Sequence, residues 1–415
     1  MESAYDAIVI GAGPAGSSAA ILLARAGRSV ALLEAKSFPR RKVCGECIAA
    51  SNLPLLDALG VGRELRQCAG PELRRVGLWC GEESIIAPLP AHVGGGRPWG
   101  YALGREHFDL LLLERARSVG AAVLQPCRVF AVRQKAQDAG YDVDAIDGSG
   151  ANLTLRAPVV IRAHGSWQPP PADGTRWSRE HRASDLLAFK ASFRNAALDE
   201  GLLPVLAFAG GYGGMVVASH GLTTLACCIR RDRLAACRRE AEAAGTAAGE
   251  RIEMLLRREC RGVRIALTEA SRVGQWLAAG PLRPGVRLGG APGGAFLIGN
   301  AAGEVHPIIG EGISMALQSA WLLCEELAGC TDAFRCDMLG EMRRHQAQHR
   351  YASRWRAQFS RRMRLAACFA HAAMRPALAA PLLPLLRRAP ALLGIAARAS
   401  GKTHSVVTFS QGSPS

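Results

Sequence analysis

The stretch from Ala7 to Glu34 leaves a chain little choice of fold. Ala7-Ile8-Val9-Ile10 is an unbroken apolar run, the pattern of a strand buried on both faces of a parallel sheet. It leads into Gly11-Ala12-Gly13-Pro14-Ala15-Gly16, then a helical stretch to Ala26 that Gly27 stops. A second apolar run, Val30-Ala31-Leu32-Leu33, ends at Glu34. Each part has a mechanical reason. Gly11 permits the tight turn, Gly13 lets backbone approach a pyrophosphate, and Gly16 lets helix and strand pack closely. The helix N-terminus offers its open N–H groups and positive dipole end to phosphates. Glu34, eighteen residues past Gly16, can accept from ribose hydroxyls and would repel a 2′-phosphate. Strand, glycines, helix, strand and acid in that order predict a dinucleotide site in an α/β fold. They do not choose between FAD and NAD.

At 415 residues the chain has room for two or three domains with ample core. Apolar residues make up 49% and charged residues 21%, which excludes a disordered or fibrous chain. The formal charge of +16 is unevenly placed: residues 342–415 hold thirteen Arg or Lys and no carboxylate, leaving +3 for the rest. The thirteen cysteines are scattered from Cys44 to Cys368 without the density of a disulfide framework. The N-terminus lacks the basic and apolar regions of a signal peptide, and no apolar run reaches the roughly 18–20 residues that span a bilayer. We expect a cytoplasmic protein, or one peripheral on the inner membrane face.

The segment after the acid narrows the cofactor. Lys36-Ser37-Phe38-Pro39-Arg40-Arg41-Lys42-Val43-Cys44-Gly45-Glu46 resembles the FAD-dependent oxidoreductases that include geranylgeranyl reductases, flavin halogenases and single-component aromatic hydroxylases. Its Phe-Pro-Arg-x-Lys-x-Cys-Gly string is most similar to the reductases. The resemblance implies that this segment wraps toward the flavin ring with Cys44 on its substrate side. It also implies that Ala35, Arg40, Cys44 and Gly45 join Gly11, Gly13, Pro14, Ala15, Gly16 and Glu34 around the cofactor. Cys44 and Cys47 form a C-x-x-C, but a thioredoxin-like site needs a different unit around it and a zinc site needs a second pair. We therefore expect a flavin-proximal Cys44, a structural Cys47 and no metal.

A second anchor lies far along the chain. Residues 295–316 read as a strand, a polar turn, a proline-bent loop and a helix beginning near Gly312. They resemble the Gly-Asp-Ala-Ala-Gly…Pro…Gly-x-Gly element of the same family. The resemblance places Asn300 and Ala301 at the ribityl and pyrophosphate region. Gly310, Gly312 and Ile313 fall at the flavin's pyrimidine edge, where a helix dipole stabilises the anionic reduced ring. Asn300 stands where the family carries Asp, which keeps a hydrogen bond and removes a charge. Two motifs nearly 300 residues apart, fitting opposite ends of one cofactor, favour FAD over NAD. Residues 101–109 match the family's Arg-x-x-Phe/Leu-Asp and bring Arg105 to the cofactor, and Val129 follows in a later strand. One element departs: His164 stands where aromatic hydroxylases carry the Asp of Gly-Ala-Asp-Gly-Ser. That acid helps position FAD and NADPH, so direct delivery from NADPH is weakened. The electron donor stays open between NAD(P)H and a flavin- or ferredoxin-type reductant.

Residues 186–230 read as hairpin-spaced strands before a charged helix over 234–259, which predicts an antiparallel sheet with its own helical layer. The resemblance makes this the substrate domain, its sheet roofing the flavin. Halogenases and reductases carry tryptophan-rich or Tyr-x-Trp-x-Phe-Pro patterns where this chain has Tyr212, Gly213, Gly214 and Met215. The missing tryptophans argue against halogenation, weaken a strict reductase assignment, and leave room for a bulky or flat substrate at Tyr212, Met215 and Pro307. Beyond Tyr351, residues 365–374, 376–386 and 389–397 are apolar pieces broken by Arg or Pro. An eleven-residue helix spans about 16 Å, half a hydrocarbon core, so these pieces suit three roles: a cap on the pocket, contact with an anionic membrane surface, or contact with an acidic carrier protein. Their arginines lack interleaved aromatics, which excludes nucleic acid.

The expected fold is α/β: a Rossmann-like FAD-binding parallel sheet interleaved with an antiparallel substrate sheet, followed by C-terminal helices. We expect the FAD domain at 1–75, 101–185 and 286–340 and the substrate domain at 76–100 and 186–285. A basic apolar helical region covers 341–400 and a tail 401–415. The function implied is an FAD-dependent oxidoreductase acting on a hydrophobic polyketide, aromatic or isoprenoid-like substrate, foremost by oxygenation through a peroxyflavin. The alternatives are reduction of C=C bonds, as in geranylgeranyl reductases, and a non-catalytic flavin-bound protein associated with membrane or carrier. Cys44, Glu46 and His306 are the candidate catalytic residues.

Overall fold

Alternation along the first strand decides the layering. In Ala7–Ile10 all four residues are buried, with Ala7 and Val9 packing into one core and Ile8 and Ile10 into another. A strand buried on both sides must sit between two layers. The computed structural model describes residues 2–92, 98–135, 140–165, 181–240, 247–288 and 294–399. Ser166 and Trp167 of the turn after His164, and the tail 401–415, lie outside the described residues. The helices are α1 (Pro14–Arg25), α2 (Leu53–Leu59), α3 (Gly62–Cys68), α4 (Arg105–Ser118), α5 (Arg231–Glu240), α6 (Ala248–Glu259), α7 (Arg261–Ala266), α8 (Gly312–Ala328) and α9 (Met338–Ala373). Three short ones follow: α10 (Pro376–Ala379), α11 (Leu382–Arg388) and α12 (Ala391–Ala397).

Five parallel strands form the central sheet in the order Phe296–Leu297, Val159–Arg162, Ala7–Ile10, Val30–Leu33 and Ala122–Leu124. Side chains of α1, α4, α8 and α9 cover one face, among them Ile21, Phe108, Leu317 and Trp355. A four-stranded sheet covers the other through Tyr141, Val143 and Leu155. The strand Cys127–Gln134, which carries Val129, belongs to this outer sheet.

A seven-stranded sheet runs Ser271–Leu282, Leu186–Arg194, Thr223–Arg230, Gly211–Val217, Leu202–Phe208, Arg75–Cys80 and Glu83–Pro88. It is mixed where an antiparallel sheet was expected, because Leu202–Phe208 pairs parallel with Arg75–Cys80. That hairpin arrives from the N-terminal half rather than through a tight turn, so nothing forces antiparallel pairing. Helices α6 and α7 cover one face with Ile252, Leu255 and Val263 against Phe193, Leu206 and Trp79. The single helix expected over 234–259 is two: α5 ends at Glu240, and α6 restarts after Ala247, whose backbone is extended.

Helix α9 is the largest departure. Its 36 residues span about 54 Å and run through the boundary expected at 340. Residues 365–374 are its last turns rather than a separate piece. Tyr351, Trp355, Phe359, Met363, Ala366 and Ala370 recur every three or four residues and are buried, so one stripe faces the protein. The outward arginines turn to α8: Arg350 donates to Glu326 at 2.8 Å, and Arg354 to Glu325 at 2.6 Å and Glu326 at 2.9 Å.

Candidate functional site

The glycine loop is held by close approach. Gly11 has φ +104°, and a Cβ there would lie 2.8 Å from the Ala163 carbonyl oxygen. A Cβ on Gly16 would lie 1.8 Å from the Gly11 carbonyl oxygen, so neither position admits a side chain. Around Gly13 the space is open, with only an Arg105 Nη2 at 3.9 Å. Helix α1 begins with Pro14 and no side-chain cap, which leaves its first N–H groups aimed outward. Glu34 is buried and fixed by backbone, accepting from Ala12 N at 2.9 Å and Lys36 N at 3.0 Å. A carboxylate accepts about four hydrogen bonds, so it retains capacity for ribose hydroxyls. Beside Gly13, Arg105 forms a fork with Asp109 at 2.6 and 2.7 Å. Arg40 lies 3.5 Å from Glu34 and 3.8 Å from Asp109. Burial, with Arg105 and Arg40 nearby, lowers the Lys42 ammonium from 10.5 to about 8. Three cations crowded against an open helix N-terminus are the donor set that a diphosphate takes.

The distant motif closes on this loop. Gly299 has φ +59°, and a Cβ there would lie 2.9 Å from the Ala15 Cβ, so the Gly299–Ala301 turn rests on the start of α1. Gly299 N donates to Ser319 Oγ at 2.8 Å, and Arg287 donates to the Asn300 carbonyl at 2.5 Å. Ala301 and Ile313 are buried, Gly310 is left-handed with φ +67°, and Gly312 faces space with no atom within 4 Å of its Cβ position. Behind the α8 N-terminus, Asn52 joins Ser314 at 2.8 Å and Gln318 at 3.0 Å, and Arg362 of α9 donates to Gln318 at 3.0 Å. Val129 lies two residues past Cys127, whose N–H donates to the Glu34 carbonyl at 2.7 Å. Two open helix N-termini joined by a small-residue floor, with a ribose acceptor at one end, fit a dinucleotide carrying a flavin.

A cavity of about 490 Å³ lies beyond the ring end. Cys44 and Gly45 line it from the loop, Tyr212 and Met215 from the seven-stranded sheet, and Pro307 and Ile308 from the bend before α8. Phe369 of α9, Leu386 of α11 and Leu393 of α12 close its side, so the C-terminal helices cap the pocket. Tyr212 of the wall pairs with the buried His306. The Tyr212 hydroxyl meets His306 Nδ1 at 3.1 Å, and the His306 ring centre lies 5.9 Å from that of exposed His371. Burial, then His371, pushes His306 down from 6.5 to about 4. Burial, then Cys228, holds Tyr212 well above its usual value. At neutral pH the imidazole is therefore neutral and the phenol protonated.

Glu46, expected beside the reacting atoms, is a tie between the two halves instead. Its left-handed backbone, φ +60°, turns the carboxylate into the core. There it accepts from Arg105 N at 3.1 Å, Thr224 Oγ1 at 2.6 Å and the Lys190 ammonium. Cys44 Sγ accepts from Glu46 N at 3.3 Å, and Cys47 pairs in a short strand with Ala102. All thirteen cysteines are free thiols. Sequence reasoning missed Lys190, Thr224, Lys42, Asp109, Arg362 and His371. Lys190 had a signal: it is the one charge in the interior of the run Leu187-Ala188-Phe189-Lys190-Ala191-Ser192-Phe193. Lys42 and Asp109 stood in the Phe-Pro-Arg-x-Lys-x-Cys-Gly and Arg-x-x-Phe/Leu-Asp strings without a role of their own, whereas Thr224, Arg362 and His371 carried no signal, since polar residues on helix and strand faces are ordinary.

Comparison with known proteins agrees with this layout. Residues 4–349 match the family described as the FAD binding domain. The chain is similar to the menaquinone reductase of Mycobacterium tuberculosis, 28% identical over 345 residues, covering 79% of this chain and 77% of that protein. Its fold is like that of the myxobacterial chondrochloren halogenase, with TM-score 0.71 and 24% identity over 85% of this chain and 79% of the other. It is also like that of a geranylgeranyl bacteriochlorophyll reductase-like protein from Thermoplasma acidophilum, with TM-score 0.70 and 18% identity over 99% and 94%.

Proposed function

Because the chain belongs to the FAD binding domain family, we propose that it is an FAD-dependent oxidoreductase that hydrogenates a carbon–carbon double bond of a long apolar molecule in the cavity. The observation that carries this is Tyr212, a hydroxyl-bearing residue in a largely apolar wall, hydrogen-bonded to the buried His306. Gly11–Gly16, Glu34, Arg40, Lys42 and Arg105 would hold the diphosphate and ribose end of FAD. Asn300, Ala301, Gly310, Gly312 and Ile313 would hold the ring end, where the α8 dipole favours negative charge. FAD, once bound and reduced by an external donor, would supply the electron pair, formally a hydride, for one carbon. Tyr212 Oη gives the proton to the other carbon. His306, 9% exposed and beside the surface His371, returns a proton to Oη through Nδ1 and regains one from solvent. The lining side chains of Ile308, Phe369, Leu386 and Leu393 exclude water that would compete for these steps. The electron donor is NAD(P)H or a flavin- or ferredoxin-type reductant. His164, in the turn against Gly11, favours the latter.

Similarity to a menaquinone reductase over most of both chains supports the reductive direction. A second reading, oxygenation of the same substrate class, draws on Gly213 and Gly214 in the cavity wall, which leave a flat-sided space that admits a ring. One experiment separates the two. Enzyme reduced chemically without oxygen and mixed with a polyprenyl substrate should yield a product heavier by two hydrogens. Product that forms only with oxygen, and is heavier by one oxygen atom, would establish the second reading instead. Tyr212→Phe should retain FAD and lose about 10²-fold or more in anaerobic turnover.

A further inference from the structure

Helices α10–α12 have two apolar sides. One lines the cavity. On the other, Leu378 and Ile395 stand away from the cavity, and with Leu382, Leu385 and Leu392 at its rim they are between 36% and 62% exposed, within a stretch of about twenty residues. Single exposed leucines are ordinary, but a contiguous group of this size marks a contact surface. Arginines stand among them: Arg375, Arg387, Arg388 and Arg398 are all exposed. Arg387 reaches Glu83 at 3.2 Å, while no carboxylate among the described residues pairs with the other three.

The arrangement selects its occupant. An acidic protein would use the arginines and leave the leucines and Ile395 in water. An apolar protein groove would bury the leucines and desolvate guanidiniums that have no counter-charge. An anionic bilayer serves both at different depths, with acyl chains taking Leu378 and Ile395 and headgroup phosphates taking the arginines. The helices have four, seven and seven residues, so each is about 6–10 Å long, and no helix of the described residues is long and apolar enough to cross a membrane. They can lie in an interface and no deeper. Leu382, Leu385 and Leu392 are both partly exposed and part of the cavity lining, so patch and cavity are continuous. We propose that α10–α12 dock the protein on an anionic membrane surface, with the cavity opening toward the lipid so that the apolar substrate enters from it.

The entry route rests on the cavity being the substrate pocket proposed above, whereas docking is measured without turnover. The holoenzyme is mixed with sucrose-loaded vesicles of phosphatidylcholine and phosphatidylglycerol in equal parts, or of phosphatidylcholine alone, and pelleted. The wild type should pellet with the mixed vesicles and far less with neutral ones. Leu378→Asp/Ile395→Asp and Arg375→Gln/Arg388→Gln/Arg398→Gln should each lower the partition coefficient by about tenfold or more. Neither set includes a cavity-lining residue, and unchanged flavin absorbance and melting temperature show that the variants fold. Wild type left in the supernatant, equal pelleting with neutral vesicles, or variants that pellet like wild type would each overturn docking. So would capture by a soluble acidic protein while the vesicles are ignored. An enzyme that reduces its substrate but ignores vesicles loses the docking proposal alone. One that pellets but reduces no apolar substrate loses the functional reading alone. Entry from lipid predicts that the variants slow on vesicle-borne substrate and match wild type on detergent-dispersed substrate. Equal slowing in both would overturn the route.

Discussion

His306 is buried where it can serve Tyr212, and that placement couples the site to stability. Its proton is bound near pH 6.5 in the unfolded chain but only near 4 in the folded one, because burial and His371 oppose the charge. Between those values the unfolded state carries more protons, so stability rises with pH through the window. Above about 6.5 there is no penalty, and below about 4 it is complete. The shift corresponds to about 3 kcal/mol, of which most is lost by pH 4.5. Denaturant melts of wild type and His306→Asn at pH 7.5 and 4.5 check this. The wild type should lose about 2–3 kcal/mol more than the variant on acidification. Equal losses would mean that the imidazole is not held neutral, and the proton path through Nδ1 would go with it.

At the scale of elements, two halves must be held in register for the cavity to meet the cofactor, and the Glu46–Lys190–Thr224 group does this. Glu46 follows the loop around the flavin site, Lys190 and Thr224 sit on neighbouring strands of the seven-stranded sheet, and the Arg105 N–H caps the carboxylate from the start of α4. Both charged side chains are buried, so removing one strands the other. Lys190→Met should cost about 3–5 kcal/mol in thermal or chemical melts, and Lys190→Met/Glu46→Leu should recover part of it. A single variant as stable as wild type would show that the ammonium is not needed to balance the carboxylate. Chemistry of this kind separates what was legible in the sequence from what was not. The Gly11–Glu34 unit could be read because each glycine answers a local need of backbone, and Gly312 because a helix start is local too. Glu46 could not, since its partners lie far away in the chain and in another sheet. Helix α9 was legible in principle: Tyr351, Trp355, Phe359 and Met363 recur at helical spacing. The arginines between them obscured it by suggesting breaks, when they mark the outer face of one helix.

Across the whole molecule, the +16 charge resolves into two populations. Much of the C-terminal excess is matched by the body: Arg350 and Arg354 take Glu325 and Glu326, Arg362 lies 3.7 Å from Glu311, and buried Arg344 donates to the carbonyls of Ala333 and Arg335 at 2.8 Å. The exposed pairs of Arg350 and Arg354 contribute only about 0–1 kcal/mol each, so they orient α9 more than they stabilise it. What they orient is the cap, because α9 ends at Met374, whose carbonyl accepts from Gly210 N at 2.9 Å beside the strand of Tyr212. From there α10–α12 fold back over the cavity and bring Leu386 and Leu393 into its wall. The glycine loop at Gly11–Gly16 and the cap of α10–α12 thus come from opposite ends of the chain, and altering the cap should change substrate binding while leaving cofactor binding alone. A buried leucine contributes about 1.5–3 kcal/mol of apolar contact, and each 1.4 kcal/mol is about tenfold in affinity. Leu386→Ser/Leu393→Ser should therefore raise KM for a long apolar substrate at least about tenfold, with flavin content unchanged and a smaller effect on kcat. Steady-state kinetics on a series of substrates of decreasing chain length test the assignment, because the penalty should shrink as the chain shortens. A penalty independent of chain length would place the substrate away from the cap, and the C-terminal helices would then serve only to hold the two sheets together.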